Sequence, residues 1–118
     1  MQAAPPLLVI DARFHVMRAS QLFFQTFQLK PEETIGRSVY DLGDGEWNIA
    51  QLRTLLSGLS PENTRTRDFE IVHGFELIGQ RRLLIDACRV LGKDNLEAVI
   101  VLSIQDITET GRSLSQGG

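Results

Sequence analysis

The sequence predicts an α+β fold: a five-stranded antiparallel sheet with short helices packed on one face. Three observations predict it. Two short apolar runs near the N-terminus are joined by a turn, the middle of the chain carries apolar residues at helical spacing, and from Arg67 onward the period changes from helical to alternating. Strands and helices segregated along a chain in this way place the helices on one side of an antiparallel sheet.

The totals set the frame. A chain of 118 residues with 42% hydrophobic content fits one domain with one core. Its divisions are expected at 1–6 for an N-terminal extension, 7–109 for the domain and 110–118 for a tail or truncated linker. A net charge of −3 with acids and bases interspersed gives no basic stripe, which argues against nucleic acid as a partner. No apolar run approaches the roughly 20 residues that span a bilayer, and the start lacks the basic n-region of a signal peptide. The single cysteine, Cys88, cannot form an internal disulfide, which is compatible with a reducing cytoplasm as the expected location.

Each element has a local reason. Leu7 to Ile10 reads as a strand that stops at the turn Asp11-Ala12-Arg13, and His15 to Ala19 alternates as its antiparallel partner. Ser20 is a good N-cap for a short aromatic helix bearing Leu22, Phe23, Phe24 and Phe27. Pro31 with Glu32 and Glu33 predicts one helical turn that Gly36 ends. Gly36 to Glu46 reads as a loop with room for one more turn. Asn48 is expected to cap the best helix, whose apolar face is Ile49, Leu52, Leu55, Leu56 and Leu59 and which ends at Gly58 and Pro61. Phe69 and Ile71 then alternate with Asp68 and Glu70. Gly74 to Gly79 reads as a six-residue connection, Leu83 to Val90 as a strand, Gly92 to Asn95 as a turn and Ala98 to Gln105 as the last strand.

In this order of elements, in the passage Phe27-Gln28-Leu29-Lys30-Pro31-Glu32-Glu33-Thr34-Ile35-Gly36-Arg37-Ser38, and in the closing Asp106-Ile107-Thr108-Glu109, the chain resembles the PAS domain family from Leu7 to Arg112. The resemblance implies a sensory or dimerising module placed ahead of a histidine kinase, a cyclic-dinucleotide enzyme or a transcriptional output, with a two-component sensor kinase expected first. The chain departs from the family's usual Asn at the start of the first helix, where it has Ser20. Flavin photosensors of the family use a Cys where this chain has Val39, so photoadduct chemistry is not expected. Haem-binding members ligate iron from a His on the long helix, and Asn48 to Leu59 contains none.

The residues themselves point away from bond chemistry. His15 and His73 lie at strand ends without a second ligand at metal spacing, so no metal is expected. Cys88 reads as a small buried or half-buried apolar residue. The carboxylate pairs Glu32-Glu33, Asp41 with Asp44 and Asp68 with Glu70 have no His, Ser or Cys close by, and read as solvated faces and turns. Gly43-Asp44-Gly45 has acids where a phosphate loop needs N–H groups and a Lys. The chain is therefore read as a regulatory domain rather than an enzyme, with no cofactor assigned.

Between sheet and helices, a small apolar ligand would be lined by Phe24, Phe27, Val39, Leu42, Trp47, Leu52, Leu56, Phe69, Ile71, Ile85, Ala87, Ile100, Leu102 and Ile104. Filled by these side chains alone the space is a core, which is the favoured reading; left slightly short, it is a pocket. Trp47 reads as a staple packing beside the helix that follows it, or as a lid over that space. The last strand is apolar on both faces. Leu84, Val99 and Val101 must point away from the helices, and such a patch calls for a second copy of the domain or a flanking helix. Asp106 and Thr108 are the expected couplers to a downstream output domain. The expected function is thus signal transmission through ligand binding or dimerisation. A ligand-free homodimerisation module and a cofactor-bound sensor stand beside it as alternatives.

Overall fold

The structure, a computed structural model, describes residues 4–91 and 97–108. The expected turn at Gly92 to Asn95, Glu109 and the tail lie outside the described residues. Five strands form one antiparallel sheet: β1 (Leu7–Asp11), β2 (Val16–Ala19), β3 (Arg65–Phe75), β4 (Gly79–Leu91) and β5 (Ala98–Asp106), in the spatial order β2-β1-β5-β4-β3. Between β2 and β3 come α1 (Gln21–Phe27), α2 (Leu42–Gly45), α3 (Ala50–Ser57) and two 3₁₀ turns at Pro31–Glu33 and Val39–Asp41. The α+β architecture with helices on one face is the one the sequence predicts.

The pleat decides what is buried. Ala98, Ile100, Leu102 and Ile104 of β5 are buried, as are Leu83, Ile85 and Ala87 of β4 and Leu8 and Ile10 of β1. Cross-strand register puts these side chains in rows, with Leu8 and Ala87 both opposite Leu102 and Ile85 opposite Ile104. The helices cover this face with Phe23 and Phe27 of α1 and Leu52, Leu55 and Leu56 of α3. Each fully buried side chain of this size contributes about 1.5–3 kcal/mol.

Both edges of the sheet are managed. The edge strand β2 is covered by the loop after the first 3₁₀ turn, because Val16 N–H donates to the Arg37 carbonyl and Gly36 N–H to the Val16 carbonyl, each at 2.8 Å. Gly36 reaches that position with φ of 87°, which a side chain would resist. The other edge, β3, carries a bulge between Thr66 and Phe69, where Asp68 has φ of 55° and its N–H donates to Asp86 Oδ1 at 2.8 Å. That one extra residue keeps both Thr66 and the Phe69, Ile71 and Phe75 series on the inner face. Charged Arg65, Arg67, Asp68 and Glu70 discourage a further strand from pairing there.

Four local expectations are corrected. The connection between β3 and β4 is the three-residue turn Glu76 to Ile78, since Phe75 pairs with Gly79 and Gly74 with Gln80, so the glycines read as loop are strand residues. β4 consequently begins four residues before Leu83. Ile49, not Asn48, holds the N-cap position of α3, and Asn48 Oδ1 instead accepts from Arg53 Nε at 2.6 Å. His15 precedes β2 and forms an isolated bridge with Ser38.

Ser20 serves two backbones: its Oγ accepts from Phe23 N–H at 3.2 Å, capping α1, and from Leu7 N–H at 3.0 Å, fixing the start of β1. Ser20→Ala orphans both donors, and we expect it to lower unfolding free energy by about 1–2 kcal/mol. Urea denaturation should show a lower midpoint with an unchanged slope; an unaltered midpoint would show that water replaces the hydroxyl at no cost.

Candidate functional site

The predicted ligand-lining residues are brought together, as a continuous core. Phe27, Val39, Leu42, Trp47, Leu52, Leu56, Ile71, Ile85, Ala87, Ile100, Leu102 and Ile104 are all buried in one cluster, with Phe24 and Phe69 half-buried against it. Toward one end the cluster becomes aromatic. Trp47 packs on Phe27, Phe23 and Phe75 at centroid distances of 5.1, 5.6 and 5.6 Å, in tilted and edge-on arrangements that suit the ring quadrupoles. Trp47 stands three residues before α3, so it fastens α1 to the β3–β4 turn.

Beyond these rings the surface is indented. A cleft of 510 Å³ runs between the end of α1, the loop around α2 and the β3–β4 turn. Its lining includes the apolar Phe27, Leu29, Trp47, Phe75, Leu77 and Ile78 and the charged Glu33, Arg37, Asp41, Asp44, Glu46 and Glu76. Gly43 and Asp44 both take left-handed backbone, with φ of 61° and 58°, which turns the loop around the cleft. The carboxylate of Glu46 accepts from Glu76 N–H and ties that loop to the turn. Of the ligand candidates read from sequence, only Phe27 and Trp47 reach this cleft. The alternating acids and glycines of 41–46 are its one trace in the sequence.

The exit from the sheet is a closed polar network. Asp106 Oδ2 receives Arg81 Nη1 at 3.1 Å, while Asp106 Oδ1 accepts from the N–H and Oγ1 of Thr108 at 3.0 and 2.6 Å. Thr108 Oγ1 in turn accepts from Arg82 N–H at 2.7 Å, and Ile107 N–H donates to the Arg82 carbonyl at 2.8 Å. Arg81 Nε also donates to the Ile78 carbonyl at 2.9 Å, so one guanidinium spans the β3–β4 turn and the end of β5.

The opposite face of the sheet lies away from every described helix. There Val9, Val101 and Cys88 sit side by side on β1, β5 and β4, with Val99 and Val90 in the next row and Leu84 near the far end. Leu84, Val99 and Val101 are half-buried among their neighbours on that face, and Val90 is exposed. The remaining candidates have ordinary surroundings. His15 Nδ1 lies 3.9 Å from Asp11 Oδ2, and His73 meets the Phe75 ring edge-on at 4.8 Å.

No family model matches the chain, and no curated protein matches it. Solved structures do. The PAS domain of BvgS from Bordetella pertussis superposes with a TM-score of 0.68 at 17% identity, covering 95% of this chain and 83% of that one. The PAS domain of an HTR-like protein from Haloarcula marismortui gives 0.66 at 20% identity, over 87% and 81% of the two chains. The PAS domain of the RpfR quorum-sensing receptor from Cronobacter turicensis, solved in complex with BDSF, gives 0.61 at 21% identity, over 92% and 98%.

Tyr40, beside the cleft loop, is the only tyrosine. Burial pushes its hydroxyl up from the ordinary range, opposed by the Arg53 guanidinium, which lies 4.1 Å over the ring centroid. The folded state therefore holds this proton more tightly than the unfolded chain, whose tyrosine titrates near about pH 10. Stability from this source is complete below that pH and is lost as pH rises above it through the folded value. Tyrosinate absorbance should titrate above the ordinary range in folded protein, and Tyr40→Phe should flatten the loss of stability at high pH.

Proposed function

We propose that the chain, having the PAS fold that these likenesses show, is a sensory or interaction module of a signalling protein. It passes a signal from its core and turns to an output domain such as the histidine kinase of a two-component system. The observation that carries this reading is the network at Asp106. The strand at the centre of the sheet ends in side chains that are held by Arg81 and Arg82 of β4, and Arg81 also donates to the Ile78 carbonyl of the β3–β4 turn. A shift of that turn changes how Asp106 and Thr108 are held, and so changes the geometry of whatever follows them.

The test is a chimera in which this chain, joined at its C-terminus to the catalytic portion of a histidine kinase, replaces the native sensor. Asp106→Ala should cost about 1–2 kcal/mol of stability, raise amide exchange at Thr108 and shift autophosphorylation several-fold. Output that stays unchanged while exchange at Thr108 rises would overturn the reading, because the junction would then be altered without consequence.

A second copy of the chain is the partner that suits the outer face. The row of Val9, Val101 and Cys88 continues the apolar alternation of the sheet onto a side without helices. Self-association there is isologous and brings two exits into one assembly, which is the geometry a dimeric output requires. Val101→Glu puts a charge in the centre of that row. Solution mass by light scattering should fall from dimer to monomer while the circular dichroism stays folded; a wild-type mass already at monomer would end the dimer reading.

A further inference from the structure

We propose that His73 is a proton-operated element of the exit from the sheet: its charge, placed opposite Arg81, sets how firmly that guanidinium is held between the β3–β4 turn and Asp106. The device stands on the hairpin alone; only its effect on an output domain rests on the sensory reading above.

Cross-strand register puts His73 of β3 directly opposite Arg81 of β4, with the Gly74 and Phe75 pairs between them and the turn. Both side chains belong to the inner face, because alternation places His73 with the buried Ile71 and Phe75, and Arg81 with the buried Leu83. Both are half-buried. Residues directly opposite on one face have Cβ atoms about 4.5–5.5 Å apart, and like charges there are destabilising. Histidine is the side chain that ordinarily changes charge between about pH 5 and 8, whereas arginine stays charged throughout. A proton on His73 therefore turns a neutral ring beside a cation into two facing cations.

The surrounding charges decide the sign. Arg81 stands one strand from His73, while Asp106 lies two strands away on β5 and already receives Arg81 Nη1 at 3.1 Å. Coulomb energy falls with distance, so repulsion from the nearer guanidinium outweighs attraction to the farther carboxylate. In the turn, Glu76 lies beyond Phe75, whose ring meets His73, and Glu76 N–H is taken by the Glu46 carboxylate. The only charged residue of α3, which packs on β3, is Arg53, and its guanidinium is held over Tyr40 and by Asn48. On the opposite face of the hairpin Glu70 and Arg82 pair at 2.9 Å. The proton thus raises the free energy of keeping Arg81 on its two acceptors, the Ile78 carbonyl at 2.9 Å and Asp106. Turn and exit loosen together when His73 is charged and are clasped when it is neutral.

Two variants fix the charge so that it can be compared at one pH and low ionic strength. His73→Arg keeps a cation opposite Arg81, and His73→Gln keeps none. By NMR, Arg81 Nε–H and Thr108 N–H should exchange about two- to fivefold faster in His73→Arg than in His73→Gln, the order by which a like-charged cross-strand pair shifts a local opening. In the wild type the same two resonances should move together with the His73 imidazole signals as pH is lowered from about 8 to about 5. That movement should be absent in His73→Gln and kept in His15→Gln, which removes the histidine beside Asp11. Equal exchange in the two folded variants, or movement that survives His73→Gln, would overturn the device. So would wild-type resonances that stay still while His73 titrates, whether or not the variants fold. In the kinase chimera the two variants should differ in autophosphorylation; an exchange difference without an output difference upholds the device and counts against the sensory reading.

Discussion

β5 pairs with β4 from Ala98 to Asp106 on one side and with β1 from Val99 to Ser103 on the other, and the sheet is built on that double pairing. Because residues 98–106 close the sheet onto residues 7–11, the first strand has no partner on that side until the last is in place. The helices then dock on the one face where the alternation of β1, β4 and β5 is uninterrupted. The two 3₁₀ turns and α2 fill the distance between α1 and α3, and the loop at 36–38 between the 3₁₀ turns covers the free edge of β2. This non-local closure makes one strand the core wall on its inner face, while its outer face stays clear of the described helices.

What could be read from the residues was what depends on periodicity and local capping. The alternation of Ala98 to Ile104 and of Leu83 to Ala87, the cap at Ser20 and the helical turn after Pro31 all rest on short-range rules, and all appear where those rules put them. The turn between β3 and β4 did not obey such rules. Gly74 and Gly79 look like loop punctuation, yet they flank a turn of Glu, Leu and Ile, because the pairing of Phe75 with Gly79 is fixed by the register of strands already aligned farther in. Asn48 has the right side chain for a cap, but Arg53 takes its oxygen. The cleft was invisible for a related reason: its members come from four separate segments, and each acid taken alone is an ordinary surface residue.

The candidate ligand residues illustrate the limit of parity arguments. Alternation correctly assigns Ile85, Ile100 and Leu102 to the side facing the helices, but facing the helices is equally the condition for filling a core. The aromatic cluster decides how the interior closes. Trp47 and Phe75 plug the end of the space between sheet and helices, so that the indentation lies outside them rather than among the aliphatic residues. The cleft at that rim borders Ile78, whose carbonyl accepts from Arg81 Nε.

That position has a mechanical consequence. A close-packed interior has few intermediate arrangements, so a small occupant there must displace a whole row of side chains before anything moves at the far edge. The β3–β4 turn is different. It carries the exposed Leu77 and is held by polar contacts at Glu46 and Arg81. One of those contacts is shared with Asp106, at the end of the strand on which the sheet depends. The β3–β4 turn and the end of the central strand thus share the single guanidinium of Arg81.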